Sequence, residues 1–142
     1  MQTMATMEQI AFANNTHRER FEEWVTEQLK LRPALAKREM AVLYVLSAMA
    51  YPFNKELLHP RGCFPMLDVA VERYQENILN ERDAVLFILA TNLHNGLDAF
   101  SDFGMEETAT PYHFHCKLKS DIYLMAEAFK IYREGYSIDT IQ

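Results

Sequence analysis

The stretch Met40 to Tyr51, MAVLYVLSAMAY, decides the fold together with its counterpart Ala84 to Leu93, AVLFILATNL. Neither run offers a polar face at helical spacing, so each reads as a helix enclosed by protein on nearly every side. Both fall well short of the about 20 residues a bilayer span requires, so neither is expected to cross a membrane. Two such helices, centred near Val45 and Leu86, need other helices wrapped around them.

Composition agrees. Leu, Ala and Met number 38 against 13 for Val and Ile, which favours helix because unbranched side chains keep their rotamer freedom there. Every Gly (62, 96, 104, 135) and every Pro (33, 52, 60, 65, 111) falls at a boundary of the helical periodicity. At 142 residues, with 49% hydrophobic and 24% charged residues, the chain is expected to form one all-α domain of about five helices. Residues 1–13 read as a short helix or a docking arm.

Outward from the first run, Pro33 suits the first turn of a helix that continues through Glu39 to Tyr51, where Pro52 stops it. Upstream, Thr16 and Glu19 have capping-box spacing, followed by the apolar stripe Phe21, Trp24, Val25 and Leu29. Asn14-Asn15-Thr16 also matches a glycosylation acceptor, but in a chain read as cytosolic the cap is preferred. Residues 52–65 read as an irregular connection with one short turn from Asn54. Leu67, Ala70, Val71, Tyr74 and Ile78 mark an amphipathic helix ending near Leu79. Asn80 with Asp83 starts the next, which Asn95-Gly96 closes. A loop from Leu97 to about Pro111 leads to a last helix, from about Tyr112 or Lys117 to Glu134, with Leu118, Ile122, Met125, Ala126, Phe129 and Tyr132 along one core-facing stripe; Gly135 is expected to end it in a Schellman cap that seats Tyr136 on Ile131.

Charge and motifs narrow the function. The formal net charge of −6 opposes approach to a polyphosphate, so no direct nucleic-acid partner is expected. Two cysteines, Cys63 and Cys116, make no disulfide framework, and the first residues lack the pattern of a secretion signal, so a reduced cytoplasmic setting is expected. Dispersed glycines exclude a P-loop, a dinucleotide fingerprint and a nucleophile elbow. No cofactor and no catalytic residue is assigned.

Three residue groups stand out. Between Ala84 and Cys116 there is no Lys or Arg, while Asp98, Asp102, Glu106 and Glu107 share a loop with Phe100, Phe103 and Met105. Such a loop suits a basic, apolar-lined groove on a protein partner, with aromatics as anchors and carboxylates steering approach; the bland alternative folds both phenylalanines back over the core. Asn92, His94 and Asn95 in the last turn of a buried helix either tie it to a neighbouring loop or line a polar pocket, and His94 near a helix C-terminus favours protonation. His94, His113, His115 and Cys116, with His59 and Cys63, are metal-ligand types. On a helix, however, His113 and His115 point about 200° apart. Ser47, alone in the apolar run, is expected to bond the carbonyl one turn back.

Phe12 with Asn14, the HRERF stretch His17 to Phe21, EMAVLYVL from Glu39 to Leu46, Asn92-Leu93-His94-Asn95-Gly96, Thr110-Pro111 leading to Cys116, and Glu127-Ala128-Phe129-Lys130-Ile131-Tyr132 follow in one order along the chain. In that order the sequence resembles a family of short proteins from bacteria, phages and mobile elements catalogued as a domain of unknown function. The residues between Tyr51 and Leu79 depart from its pattern. The resemblance implies no activity, cofactor or catalytic residue, and it implies a phage or mobile-element setting. The expectation that follows is a non-enzymatic interaction or inhibitor protein acting on a host defence or nucleic-acid-processing protein through its acidic loop. The alternatives are a small metal-binding protein or enzyme using the His/Cys set, and a structural homodimer.

Overall fold

The computed structural model describes residues 10–51, 54–59 and 64–136. Six α-helical segments occur there: α1 (Asn15–Leu31), α2 (Lys37–Ser47), α3 (Leu67–Gln75), α4 (Glu81–Asn95), α5 (Pro111–Leu118) and α6 (Tyr123–Glu134). A 3-10 turn over Lys119–Ile122 joins α5 to α6, so the two form one helical run bent at its middle. The described residues contain no strand, only an isolated bridge between Leu58 and Pro65. The protein is an all-α bundle.

Both apolar runs lie inside it. Every residue from Met40 to Ser47 in α2 is buried, as is every residue from Asp83 to Thr91 in α4, and Val45 and Leu86 are fully enclosed. Helix α2 is the centre: α1, α4 and α6 all pack on it. Fully burying a Leu or Val contributes about 1.5–3 kcal/mol, which explains why the chain is built around the two segments that have no wet face. Among the described residues no helix is long and apolar enough to cross a membrane.

Several boundaries differ from the sequence expectation. Helix α1 is capped by Asn14, whose Oδ1 accepts from the His17 amide at 2.8 Å, so Thr16 lies inside the helix and not at its cap. Helix α2 starts at Lys37 and not near Pro33; the Glu39 carboxylate reaches back to the Ala36 amide at 2.9 Å. It also stops at Ser47, ahead of Pro52. Helix α3 ends before Leu79 because Asn77 takes a left-handed conformation (φ 62°), letting the Ile78 amide reach Arg73 O at 2.9 Å and the Asn77 amide reach Tyr74 O at 3.0 Å. That is the Schellman arrangement expected at Gly135. Gly135 instead combines φ 81° with ψ −179°, a region only glycine populates readily, and the Tyr136 amide goes to Met40 Sδ at 3.3 Å. Asn80 does cap α4, accepting from the Asp83 amide at 2.7 Å, and Gly96 ends it at φ 78°. The short turn from Asn54 is present as Asn54–Leu57, and the Ser47 hydroxyl donates to Tyr44 O at 3.0 Å.

Within the segment read as an arm, Ile10 to Ala13 are docked and Met1 to Gln9 lie outside the described residues. Ile10 is buried and Phe12 joins an aromatic cluster with His17, Phe21, Tyr44 and Tyr136. The Ala11 amide donates to Glu127 Oε1 at 3.1 Å, and the Tyr44 hydroxyl donates to Ala11 O.

Candidate functional site

The acidic loop does not present its aromatics. A 3-10 turn at Ser101–Phe103, followed by Gly104 at φ 75°, swings both phenylalanines inward. Phe100 is 0% exposed against Phe114, with ring centroids 5.4 Å apart, and Phe103 is buried against Tyr74 and Phe87 at 5.5 and 6.1 Å. Phe100 and Phe103 as partner anchors are therefore corrected: burying a phenylalanine contributes about 1.5–3 kcal/mol, and the core takes both. Met105 is half-buried on the same core. Asp98 is internal to the loop, its Oδ1 accepting from the Phe100 amide at 3.2 Å and its Oδ2 from the Ala109 amide at 3.0 Å. Glu107 meets Lys117 at 3.5 Å, and its carboxyl is held below the ordinary range, first by its own backbone amide and then by Lys117. Asp102 and Glu106 are exposed and make no ion pair among the described residues. Asp98 is itself exposed, so two of the four carboxylates, those of Asp102 and Glu106, are left without a backbone or ion-pair partner among the described residues.

The His/Cys set is scattered. His113 and His115 stand on α5, where His113 Nδ1 accepts from the Thr108 amide at 3.0 Å, while His115 and Cys116 are exposed. His94 is on α4, its ring against Phe64 with centroids 5.3 Å apart, and His59 packs on the same Phe64 ring with centroids 5.6 Å apart. Cys63 lies outside the described residues. Among the described residues no group of three His, Cys, Asp or Glu is placed to hold a metal ion, so His94, His113, His115 and Cys116 are not brought together. Burial, with Arg38 adding to it, pulls the His94 imidazole below its ordinary value. The helix-end preference for a protonated ring loses to desolvation there.

Asn92 and Asn95 close the end of α4. Asn92 Nδ2 donates to Leu97 O at 3.3 Å and Asn95 Oδ1 accepts from the Leu97 amide at 3.0 Å. Asn92 thereby ties α4 to the following loop, and it also lines a groove of about 310 Å³ with Leu93, Phe129 and Tyr132. The bond to Leu97 O is the tie to the neighbouring loop; the groove takes Asn92 as its one amide among apolar and aromatic side chains, without His94 or Asn95. The groove exists because α4 and α6 each pack on α2 and leave a gap between them. Helix α6 buries Leu124, Ala128 and Ile131 on α2, which turns Phe129 and Tyr132 outward at 47% and 43% exposure. Leu97, 42% exposed, follows directly on Asn92's end of α4.

Compared with protein-family models, curated proteins and solved structures, the chain matches none. The site must be read from its own residues. Three cations stand toward this end of the bundle: Lys37 Nζ donates to Arg133 O at 3.2 Å, Arg38 is near enough to His94 for its charge to act on the ring, and Arg133 follows Phe129 by one turn of α6. From Lys30 to Arg38 the chain holds four bases and no acid. Arg32 pairs with Glu39 at 3.0 Å, which leaves Lys37, Arg38 and Arg133 as this corner's cations without an ion pair among the described residues.

A second polar assembly sits at the opposite end of α2. Asp83, buried in α4, accepts from the Ala50 and Tyr51 amides, both at 2.9 Å. Burial pushes its carboxyl up, against the pull of those two bonds and of Arg82. Arg20 Nη1 donates to Met49 O at 2.8 Å, and Arg82 bonds Ala48 O through Nη1 at 3.4 Å and Asp121 Oδ2 through Nε at 2.7 Å. Beneath them His17 is fixed in one neutral form: Nδ1 accepts from the Ala13 amide at 3.0 Å, so Nε2 carries the proton and donates to Tyr44 O at 2.8 Å. Burial lowers this imidazole to about 4. The sequence reading missed the whole assembly, although Asp83, an acid at the threshold of an apolar run, was its one visible signal.

Proposed function

We propose that the protein is an interaction module that acts by occupancy and not by turnover, receiving an acidic amphipathic segment of a partner protein in the groove between α4 and α6. The observation that carries this reading is the pair Phe129 and Tyr132, large aromatics held half-exposed beside Leu93. Aromatic side chains in a shallow groove are the usual anchors of a binding surface. The cations Lys37, Arg38 and Arg133 at the same end select an acidic occupant and steer its approach. Asn92, whose Oδ1 has no partner among the described residues, supplies an acceptor for a backbone amide of the incoming segment. In the phage or mobile-element setting that the sequence resemblance implies, the partner is a host protein and binding inhibits it. The reading keeps the protein partner expected from the sequence but moves the surface from the acidic loop to an aromatic groove with cations toward its end.

The test is site-specific photocrosslinking from position 97, exposed beside the Asn92 end of α4, in host extract, with the crosslinked peptide sequenced. The expected peptide is acidic with apolar residues three or four apart, and its capture disappears in Phe129→Ala/Tyr132→Ala while surviving in Asp102→Asn/Glu106→Gln. Capture that follows the loop acids instead, or a crosslink only to a second copy of this chain, overturns the proposal.

A further inference from the structure

The cleft above the end of α2 does not belong to that groove, and its chemistry differs. It encloses about 340 Å³ and is walled by Asn14, Thr16, Arg20, Ser47 and Arg82 over the backbone of Ala48 to Ala50. Several hydrogen-bond acceptors around this cleft are already occupied. Met49 O and Ala48 O take one N–H each from Arg20 and Arg82, Tyr44 O takes His17 and Ser47, and both oxygens of Asp83 hold backbone amides. The Asn14 side-chain oxygen caps α1.

Donors are in surplus. A guanidinium carries five N–H bonds, and Arg20 has only Nη1 engaged while Arg82 has Nε and Nη1 engaged. The Asn14 amide nitrogen and the Thr16 hydroxyl have no partner among the described residues. Arg82 is paired with Asp121 at 2.7 Å and Asp83 at 3.5 Å, whereas Arg20 makes no ion pair among the described residues. The two arginines and two acids sum to zero charge, so a ligand here is held by directed donors more than by net field. Two planar guanidinium forks that line one cleft from two helices suit an oxyanion, which accepts several N–H bonds at once.

We infer that this cleft binds a compact oxyanion, the phosphate or carboxylate of a small molecule, between the Arg20 and Arg82 guanidiniums with Thr16 at its edge. The inference stands whether or not the α4–α6 groove takes a partner.

Titration with inorganic phosphate, and separately with acetate, tests it by nuclear magnetic resonance at ionic strength held constant with chloride. The expected result is saturable movement of the Thr16 amide and the Arg20 Nε–H signals, with a dissociation constant on the order of a millimolar. The anion that saturates first names the ligand's headgroup. Arg20→Gln should weaken binding by about tenfold or more, the loss of a charged hydrogen-bonding pair. Thr16→Glu should do the same without harming the fold, because an acid in the first turn of α1 is favourable to the helix. Phosphate and acetate shifts no larger than those of chloride overturn the inference, as does unchanged saturation in a folded Thr16→Glu protein.

Discussion

The loop from Leu97 to Thr110 and the outer face of α6 carry the same residue types, aromatics among charges, and put them to opposite uses. In the loop, Phe100 and Phe103 complete the core and two of four acids hold the loop's own structure. On α6, Phe129 and Tyr132 stay half-wet because Leu124, Ala128 and Ile131 have already claimed the core-facing stripe. Periodicity is the difference. A helix has one stripe to bury and must expose the rest, whereas a loop can turn any residue inward when a glycine such as Gly104 lets it.

Truncation separates the two regions most sharply. Phe100→Ala should cost about 3–5 kcal/mol in denaturant unfolding, as expected for a fully enclosed phenylalanine, while Phe129→Ala should cost less than about 1 kcal/mol. Equal losses would mean that α6 packs its outer face after all, and the proposed groove would fall with that result.

Acid comes next, acting on the core beside the docked arm. His17 is neutral in the fold at about 4 against about 6.5 in an unfolded chain, so the unfolded state binds the proton first. Stability from this group is complete above pH 6.5 and declines as pH falls toward 4, by about 3 kcal/mol in total. The sign is that of a depressed base: protonation strips Nδ1 of its lone pair and breaks the bond from the Ala13 amide. Unfolding free energies measured across that window, in the wild type and in His17→Phe, should diverge at neutral pH and converge at acid pH. A constant difference would place the acid sensitivity in other groups.

Gly135→Ala should cost about 1–3 kcal/mol, because φ 81° with ψ −179° is open to glycine and strained for alanine. The Tyr136 ring must follow this turn to reach Phe21, whose centroid is 4.9 Å away. Loss of near-ultraviolet dichroism should therefore accompany the loss of stability.

How much of this was legible depended on whether the signal was local. Absence of a polar face marked α2 and α4 correctly, since no partner residue needs to be known to see that a side has no charge. Asn80 was legible as a cap for the same reason. The start of α1 was not, because Asn14 and Thr16 are both good caps and only the fixed His17 ring, bonded to Ala13, selects between them. The bend between α5 and α6 has neither Gly nor Pro to announce it; Lys119 takes φ 55° instead. Asp83 gave away a cap-flanking acid but not its bonds to Ala50 and Tyr51, which lie more than thirty positions earlier in the chain. The groove was invisible for a related reason: Phe129 and Tyr132 sit on the stripe that periodicity assigned to the core, and only the placement of α6 on α2 decides which edge of that stripe stays open.

The smallest effect is the most informative about the loop. Asp98 and Asp102 are near neighbours of like charge, yet Asp98 accepts from two backbone amides while Asp102 makes no ion pair among the described residues. Asp98→Ala leaves the Phe100 and Ala109 amides without their acceptor and should cost about 1–2 kcal/mol; Asp102→Asn should stay within about 0.5 kcal/mol. Hydrogen exchange at the Ala109 amide distinguishes a broken staple from a general loss of stability, because only the former accelerates that amide more than the core of α4. If Asp102 proved as costly as Asp98, its carboxylate would be holding structure too, and Glu106 would be the loop's single acid without a structural bond, too little uncommitted charge for any partner to read.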